Sequence, residues 1–470
     1  MRSKCPNRLS LFIMLALFGL SGCAGVYTPD TAWPERRSLG ADLKAFVPPP
    51  ATPGRMPEAV DLEDPTGPIT LRHALSLALM RSPALAGAAW EVRAREANTL
   101  QAQLPQNPTV GMEVGALATS ALLPQAGYSE AVSQTFELGG KRARKTKVAA
   151  LDTDLAGWDY ETKRLDVLTE ATKFFVEVLE AQEQIALYEE LVRTTEQILA
   201  EAMRKTRTKK TTSPDIIKAG IHLSNAKIQK EQAQDKLEAA RRRLAATWGQ
   251  KDPGFEKVEG VFTEVSPVPS FEELSELVSR NPDVARWNKE TEQRRAALEL
   301  EKSKVIPDVT LTGGGQQLDD GRGSGSGAIF GVSVPIPIFD RNQGNTLAAQ
   351  YKLQKAGAES SDAALKANTA LGNAYQALVS SYREATCLKT DVLPAYERFF
   401  NAYDQIFIKK GEGLGEVLDV SQALFETRAK YIQTLAAYYK SKADVERLVG
   451  ESLDSVTASG KAPTIMEKKE

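Results

Sequence analysis

The chain has 470 residues, with 59 Lys and Arg against 61 Asp and Glu and a formal charge of −2 at pH 7. Its pI is near 6.1, so no overall basic field gives ground for a nucleic-acid partner or for binding an anionic membrane surface. Three cysteines among these residues supply no disulfide framework.

In chain order, Arg2, Lys4 and Arg8 precede the apolar run Leu11 to Leu20. That run is too short to span a bilayer and suits the h-region of a signal peptide, residues 1–22. It ends in Leu20-Ser21-Gly22-Cys23, which resembles a bacterial lipobox. The resemblance implies that Cys23 becomes the mature N-terminus and carries diacylglyceryl and N-acyl groups. Ala24, where Asp would retain such a protein at the inner membrane, implies transit to the outer membrane. Cys5 leaves with the signal, and Cys387 stands alone on a predicted helix. Beyond the signal no apolar run reaches 18 residues, so a mature chain that crosses a membrane must do so as β-strands.

Residues 23–69 are rich in proline without sustained period and read as a lipidated arm. Thr70 is placed as an N-cap, and Ser82-Pro83 as a break before a second helix that ends near Leu104. Two strands are expected at about 109–116 and 128–138, then long helices over 141–208 and 214–248. A linker, 251–269, follows. The same order then recurs at an offset of about 200 residues: a capping box at Ser270 and Glu273, a restart at Asn281-Pro282, strands at about 308–318 and 328–338, and helices over 344–410 and 415–449. The repeats are thus 70–250 and 270–452, with a polar tail at 453–470.

The predicted strands, each of 8 to 11 residues, suit tilted membrane strands flanking small-residue loops. Four strands do not close a barrel, so closure requires several chains. The seam Leu151, Leu155, Trp158, Leu165, Leu168, Thr172, Phe175, Leu179 and Gln182 steps mainly by three and four, as in a coiled coil. A helix over 141–208 would be on the order of 100 Å long, too long for one compact core.

This layout, from Thr70 to about Gly450, resembles the outer-membrane efflux ducts related to TolC. SQTFELGGKR from Ser133 and VPIPIFDRNQGN from Val334 are similar to signatures of the CzcC-like branch, the outer component of tripartite heavy-metal efflux pumps. The resemblance implies a membrane α+β fold and a homotrimer. Each chain would give four strands to a twelve-stranded outer-membrane β-barrel, continued by a periplasmic α-helical coiled-coil barrel. Implied partners are a periplasmic membrane-fusion adaptor, an inner-membrane RND transporter and outer-membrane lipid in a Gram-negative bacterium. The implied cargo is cobalt, zinc, cadmium or nickel cations. Two alternatives stay open: the same fold exporting drugs or proteins by type I secretion, and a poreless periplasmic coiled-coil structural lipoprotein.

The resemblance also assigns roles. Ser213, Pro214 and Asp215, with Gly411, Gly413 and Gly415, fall at the tips that would meet the adaptor. Glu416 and Asp419, in GEVLDV, fall where the family narrows its closed tunnel. A ring of carboxylates there would attract cations and resist closure by mutual repulsion. At the repeat offset Asp215 stands opposite Glu416 and Lys218 opposite Asp419, which makes Lys218 a candidate latch. Gly139 and Gly140, then Pro335 and Pro337, mark two β-to-α transitions, the prolines expected to bend the strand. The basic run Arg204 to Lys210 would offset a helix C-terminus and is a candidate adaptor contact.

No other chemistry is expected. His73 and His222 read as ordinary helix residues, no Cys or His cluster makes a metal site, and no cofactor is called for beyond the lipid. GGGQQLDDGRGSGSG from Gly313 lacks a P-loop arrangement, and no nucleophile set supports an enzyme or a catalytic residue.

Overall fold

A computed structural model of the chain describes residues 37–48, 66–117, 125–206, 213–262, 265–319, 324–410 and 413–459. Cys23, Gly411 and the basic run from Arg207 onward lie outside the described residues. The first repeat contains β1 (Gly67–Thr70), α1 (Leu71–Arg81), α2 (Pro83–Gln103), β2 (Thr109–Leu117), β3 (Gln125–Phe136), α3 (Lys141–Thr206) and α4 (Ser213–Ala246). Strand β4 (Phe255–Glu259) follows. The second repeat contains α5 (Phe271–Leu277), α6 (Pro282–Ser303), β5 (Val309–Asp319), β6 (Ser324–Ser333), α7 (Gln343–Cys387), α8 (Leu393–Lys410) and α9 (Leu414–Val449), and α10 (Leu453–Ser459) closes the described chain. The fold is a duplicated α+β unit.

The contacts divide into two compact units. One holds Val92–Ala156 and Asn288–Ala358 and contains an antiparallel sheet of order β2-β3-β5-β6. Each repeat gives one hairpin, and the repeats meet at β3 and β5, from Phe136 opposite Val309 to Ala126 opposite Asp319. The edges β2 and β6 have no strand partner among the described residues.

Period-two alternation gives this sheet two chemically different faces. Val110, Met112 and Val114 on β2 share one face with Val132 and Tyr128, Leu311, and Phe330 and Val332. Val110, Met112, Val114, Phe330 and Val332 are 69 to 88% exposed. The other face carries Thr109, Ser129, Ser133, Thr135, Thr310, Thr312 and Gln316. Ser133 Oγ lies 2.9 Å from Thr312 Oγ1, and Thr135 Oγ1 lies 3.0 Å from Thr310 Oγ1, so hydroxyls pair across the central strands. Gly314 is required by close approach, because a Cβ there would fall 2.8 Å from the Ala131 Cα.

The other unit comprises Pro34–Glu91, Gly157–Trp287 and Glu359–Glu470. Its two main apolar clusters are repeat equivalents. In the first, Ile69, Phe175, Leu179, Leu244, Trp248, Phe255 and Val258 pack together; in the second, Leu274, Val278, Leu371, Leu378, Tyr438, Val445 and Val449 do. Gly249 and Gly450 end the two returning helices with φ of +84° and +78°, the left-handed geometry glycine allows. On α4, Ala219, Ala226, Ala233 and Ala240 are buried at a seven-residue spacing that lets neighbouring helices approach closely.

Four boundaries differ from the sequence reading. The expected linker contains β4, which pairs in parallel with β1. A register shift between Gly67 and Ile69 leaves Phe255 and Val258 as the buried residues of β4, so the alternation that marks a strand is absent. The Gln182 side chain donates to Val258 O at 3.1 Å and accepts from Val258 N at 2.9 Å. The expected tail begins with α10, whose Leu453 joins the second cluster. Strand β6 stops at Ser333, before Pro335 and Pro337, rather than continuing through them, because proline lacks the ladder N–H and restricts the preceding residue. The helix expected over 344–410 contains a π-helical turn at Leu388–Val392 just before Pro394, which removes one backbone donor.

The arm also packs where it is described. Arg164, 1% exposed like its partner Glu161, donates to Glu161 Oε1 at 2.7 Å, Leu39 O at 2.9 Å and Arg37 O at 3.2 Å. Glu161 in turn accepts from Arg37 N at 2.8 Å. Leu39 N donates to Gly450 O at 3.1 Å, and Tyr160 Oη donates to Phe46 O at 2.9 Å. Residues 37–48 form a strap that completes the hydrogen bonds of a buried ion pair.

Candidate functional site

Helix α9 begins where Gly413 adopts φ +79°, a left-handed position with no side-chain cap. Its first turns present two kinds of residue. Leu414, Val417 and Leu418 are buried with Ile198 and Ala202 of α3, Ala219 of α4 and Phe407 of α8. The alternate positions, Glu416 and Asp419, are exposed. Burial of the apolar stripe therefore fixes which way the two carboxylates face.

Lys218 Nζ lies 2.9 Å from the Asp419 carboxylate, joining α4 to α9 and the first repeat to the second. His222, one turn further along α4, places Nε2 3.9 Å from Asp419 Oδ1. The reading of His222 as an ordinary helix residue missed this second approach to Asp419. Gly415 borders the pair, where a Cβ would sit in ordinary contact with Lys218 Nζ, at 3.5 Å. Glu416 lies beside the helix start, where a Cβ on Gly413 would come 3.6 Å from its Oε2. Behind the pair, His222, Thr195, Asn225, Gln229, Ser421 and Gln422 line a small polar pocket, and Ser421 Oγ is buried without a partner among the described residues.

The tips are capped from within. Lys205 Nζ donates to Phe407 O and, at 2.9 Å, to Ile408 O, while lying 4.5 Å from the Phe407 ring centroid. It thus satisfies carbonyls in the last turn of α8 that have no helical donor. Asp404, in the same helix, has its carboxyl pushed above the usual range by burial, with Lys205 acting against the shift. Arg204 pairs with Glu201 at 2.7 Å. Arg204 stays on the surface in this pair, whereas Lys205 is buried, so a surface-contact role does not extend to Lys205. Ser213 opens α4, Pro214 is exposed, and Asp215 lies in the first turn.

At the two strand-to-helix junctions the chain uses residues beyond the marked glycines and prolines. Gly139 and Gly140 have φ of +67° and +68°, and a Cβ on Gly139 would fall 2.8 Å from Ile306 Cδ1. Asp308 then accepts from Leu138 N at 3.1 Å and from Lys141 Nζ at 2.6 Å, so the second repeat holds the first junction. At the other junction Asn342, with φ 58°, donates to Glu301 O at 2.8 Å and to Glu301 Oε2 at 2.7 Å. Pro335 and Pro337 end the strand, while Asn342 makes the turn into α7. Asp340 and Asn342 carry the signal for this, residue types that tolerate left-handed backbone and bond their own chain, and Asn342 N donates to Asp340 Oδ1 at 2.8 Å.

Among the described residues no group of His, Cys, Asp and Glu is arranged to hold a metal ion, and no helix is long and apolar enough to cross a membrane.

Comparison with known proteins matches residues 74–250 and 274–451 separately to the family described as outer membrane efflux protein. The chain is 30% identical over 384 residues to the cobalt-zinc-cadmium resistance protein CzcC of Cupriavidus metallidurans, covering 82% of this chain and 90% of that protein. It is 27% identical to the nickel and cobalt resistance protein CnrC of the same species, over 68% of this chain and 75% of the relative. Among solved structures, CusC superposes with a TM-score of 0.68 at 15% identity, over 81% of this chain and 92% of that one.

Proposed function

The chain belongs to the outer membrane efflux protein family, and from that premise we propose that it is the outer-membrane duct of a tripartite heavy-metal efflux system. Three copies close a twelve-stranded barrel, and the long helices form the periplasmic tunnel. The observation that carries this reading is the sheet: both edges lack strand partners among the described residues, and one face is apolar and exposed. Unpaired edges are satisfied when neighbouring chains pair β6 with β2, and the apolar face suits lipid.

The duct performs no chemistry of its own. A periplasmic membrane-fusion adaptor meets the tips at Ser213, Pro214, Asp215, Gly411, Gly413 and Gly415, and an RND transporter in the inner membrane supplies the cargo. Acylated Cys23 adds a lipid anchor. Cobalt, zinc, cadmium or nickel is the cargo class suggested by the relatives named above. Glu416 and Asp419 ring the periplasmic aperture, and Lys218 holds Asp419 when it is closed. Weak, exposed carboxylates fit a duct, which must release every ion it admits.

The test is to purify the full-length lipidated protein, assay heat-resistant trimers and record single channels. It is also produced in a metal-sensitive strain that has the matching pump and adaptor. Trimers that conduct and restore growth on cobalt or zinc are expected. Absence of conductance overturns the duct reading; conductance with rescue on drugs but not on metals overturns the cargo.

A further inference from the structure

We infer that Glu113 is the residue that sets charge selectivity within the β-barrel, an inference that rests on the trimeric-barrel reading. The register places Glu113 in a row with Ser129, Gln316 and Gly327, on the Thr- and Ser-rich face of the sheet. The adjoining rows are Gly115, Gly127, Leu318 and Gly325 on the loop side, and Gly111, Ala131, Gly314 and Ile329 on the helix side. None is charged. The carboxylate is exposed among small neighbours, near the middle of β2.

The four strands contain only three ionisable acids, Glu113, Glu130 and Asp319, and no Lys or Arg. Asp319 lies at the loop end of β5. Glu130 lies on the opposite, apolar face, between Met112 and Gly315. Strand β6, which would pair with β2 of a neighbouring copy, has no charged residue from Ser324 to Ser333. Glu113 therefore meets no counter-charge from its own strands or from the strand across the seam. With the apolar face toward lipid, it is the sole ionisable strand residue inside the barrel short of the loop end.

Three such carboxylates would lie on the order of 10 Å from the axis of a twelve-stranded barrel, a distance comparable to the Debye length at about 0.1 M salt. Their field then reaches the whole cross-section, enriching cations and depleting anions enough to favour cations by about fivefold. At about 1 M salt the Debye length falls to about 3 Å and the preference fades.

Full-length trimers carrying E416A and D419S, so that the aperture acids do not dominate, are recorded in planar bilayers under a KCl gradient. E113Q is compared with E130Q, an equal loss of charge from the other face. E113Q is expected to lower the potassium-to-chloride permeability ratio by about fivefold near 0.1 M salt and little near 1 M, while E130Q leaves it unchanged. E113S gives the same comparison if E113Q does not assemble, and E113D should retain the parental ratio. An unchanged ratio in E113Q and E113S overturns the inference and leaves the duct standing. A shift in E130Q alone overturns it by reversing the faces. A parent that forms no channel overturns the barrel itself.

Discussion

Replacing Lys218 by alanine should open the periplasmic end. In the structure Lys218 Nζ stands 2.9 Å from the Asp419 carboxylate, with the two side chains 42% and 62% exposed. A solvated pair of that kind is worth about 0.2–1 kcal/mol, discounted for exposure as such pairs require. Three pairs released together in a trimer would change the balance of closed and open apertures by about 0.6–3 kcal/mol, a factor of roughly 3 to 150. Removal of Lys218 also leaves three Asp419 carboxylates without their cations, and their repulsion acts in the same direction. Single-channel recording is the assay: K218A should show longer openings or higher conductance, K218R should resemble the parent, and the contrast should narrow near 1 M KCl, where the Debye length is about 3 Å. Combining K218D with D419K should restore the parental closed fraction. If K218A gates like the parent at low salt, the pair does not latch the aperture and the reasoning fails.

Arg164→Ala should lower unfolding stability by about 3–5 kcal/mol, because Glu161 would be left buried without its partner; denaturant titration reads this, and protease should then cut within residues 37–48. Asn342→Ala should cost about 1–3 kcal/mol through its left-handed backbone and the lost bonds to Glu301, whereas Asn342→Gly should keep the turn and lose the bonds alone; paired melting curves separate the two. Gly314→Val should prevent pairing of β3 with β5, seen as loss of heat-resistant oligomers and of β signal in circular dichroism. Glu416→Ala with Asp419→Ser should reduce block of the channel by added divalent cations, and undiminished block would place the cation-attracting acids elsewhere.

What sequence alone revealed depended on the range of the interaction. The duplication was legible because landmarks such as Trp248-Gly249 and Val449-Gly450 are local, and both glycines terminate helices in left-handed geometry. The hairpins were legible because alternation is written into each strand. Strand β4 was not, since its pairing with β1 is parallel, short and irregular, and its pattern depends on a partner nearly 190 residues away. The turn at Asn342 was hidden by two conspicuous prolines, although the residue that takes the left-handed conformation lies five positions later. The site divided in the same manner. Glu416 and Asp419 came from a motif, and Lys218 from the repeat offset, but the inward turn of Lys205 onto Phe407 and Ile408 could only be seen once α3 and α8 were packed together.

The strap has a mechanical consequence. Leu39 and Ser38 bond the carbonyl of Gly450, the residue that closes α9, so the strap is stitched to one end of that helix. Helix α9 is 36 residues long and begins at Leu414, five residues before Asp419. Tension entering the strap at Arg37 would pass through the Arg164 clamp and load the far end of a stiff rod about 54 Å long. Residues 37–48 thus have a lever arm toward the carboxylates at the opposite end of the helix.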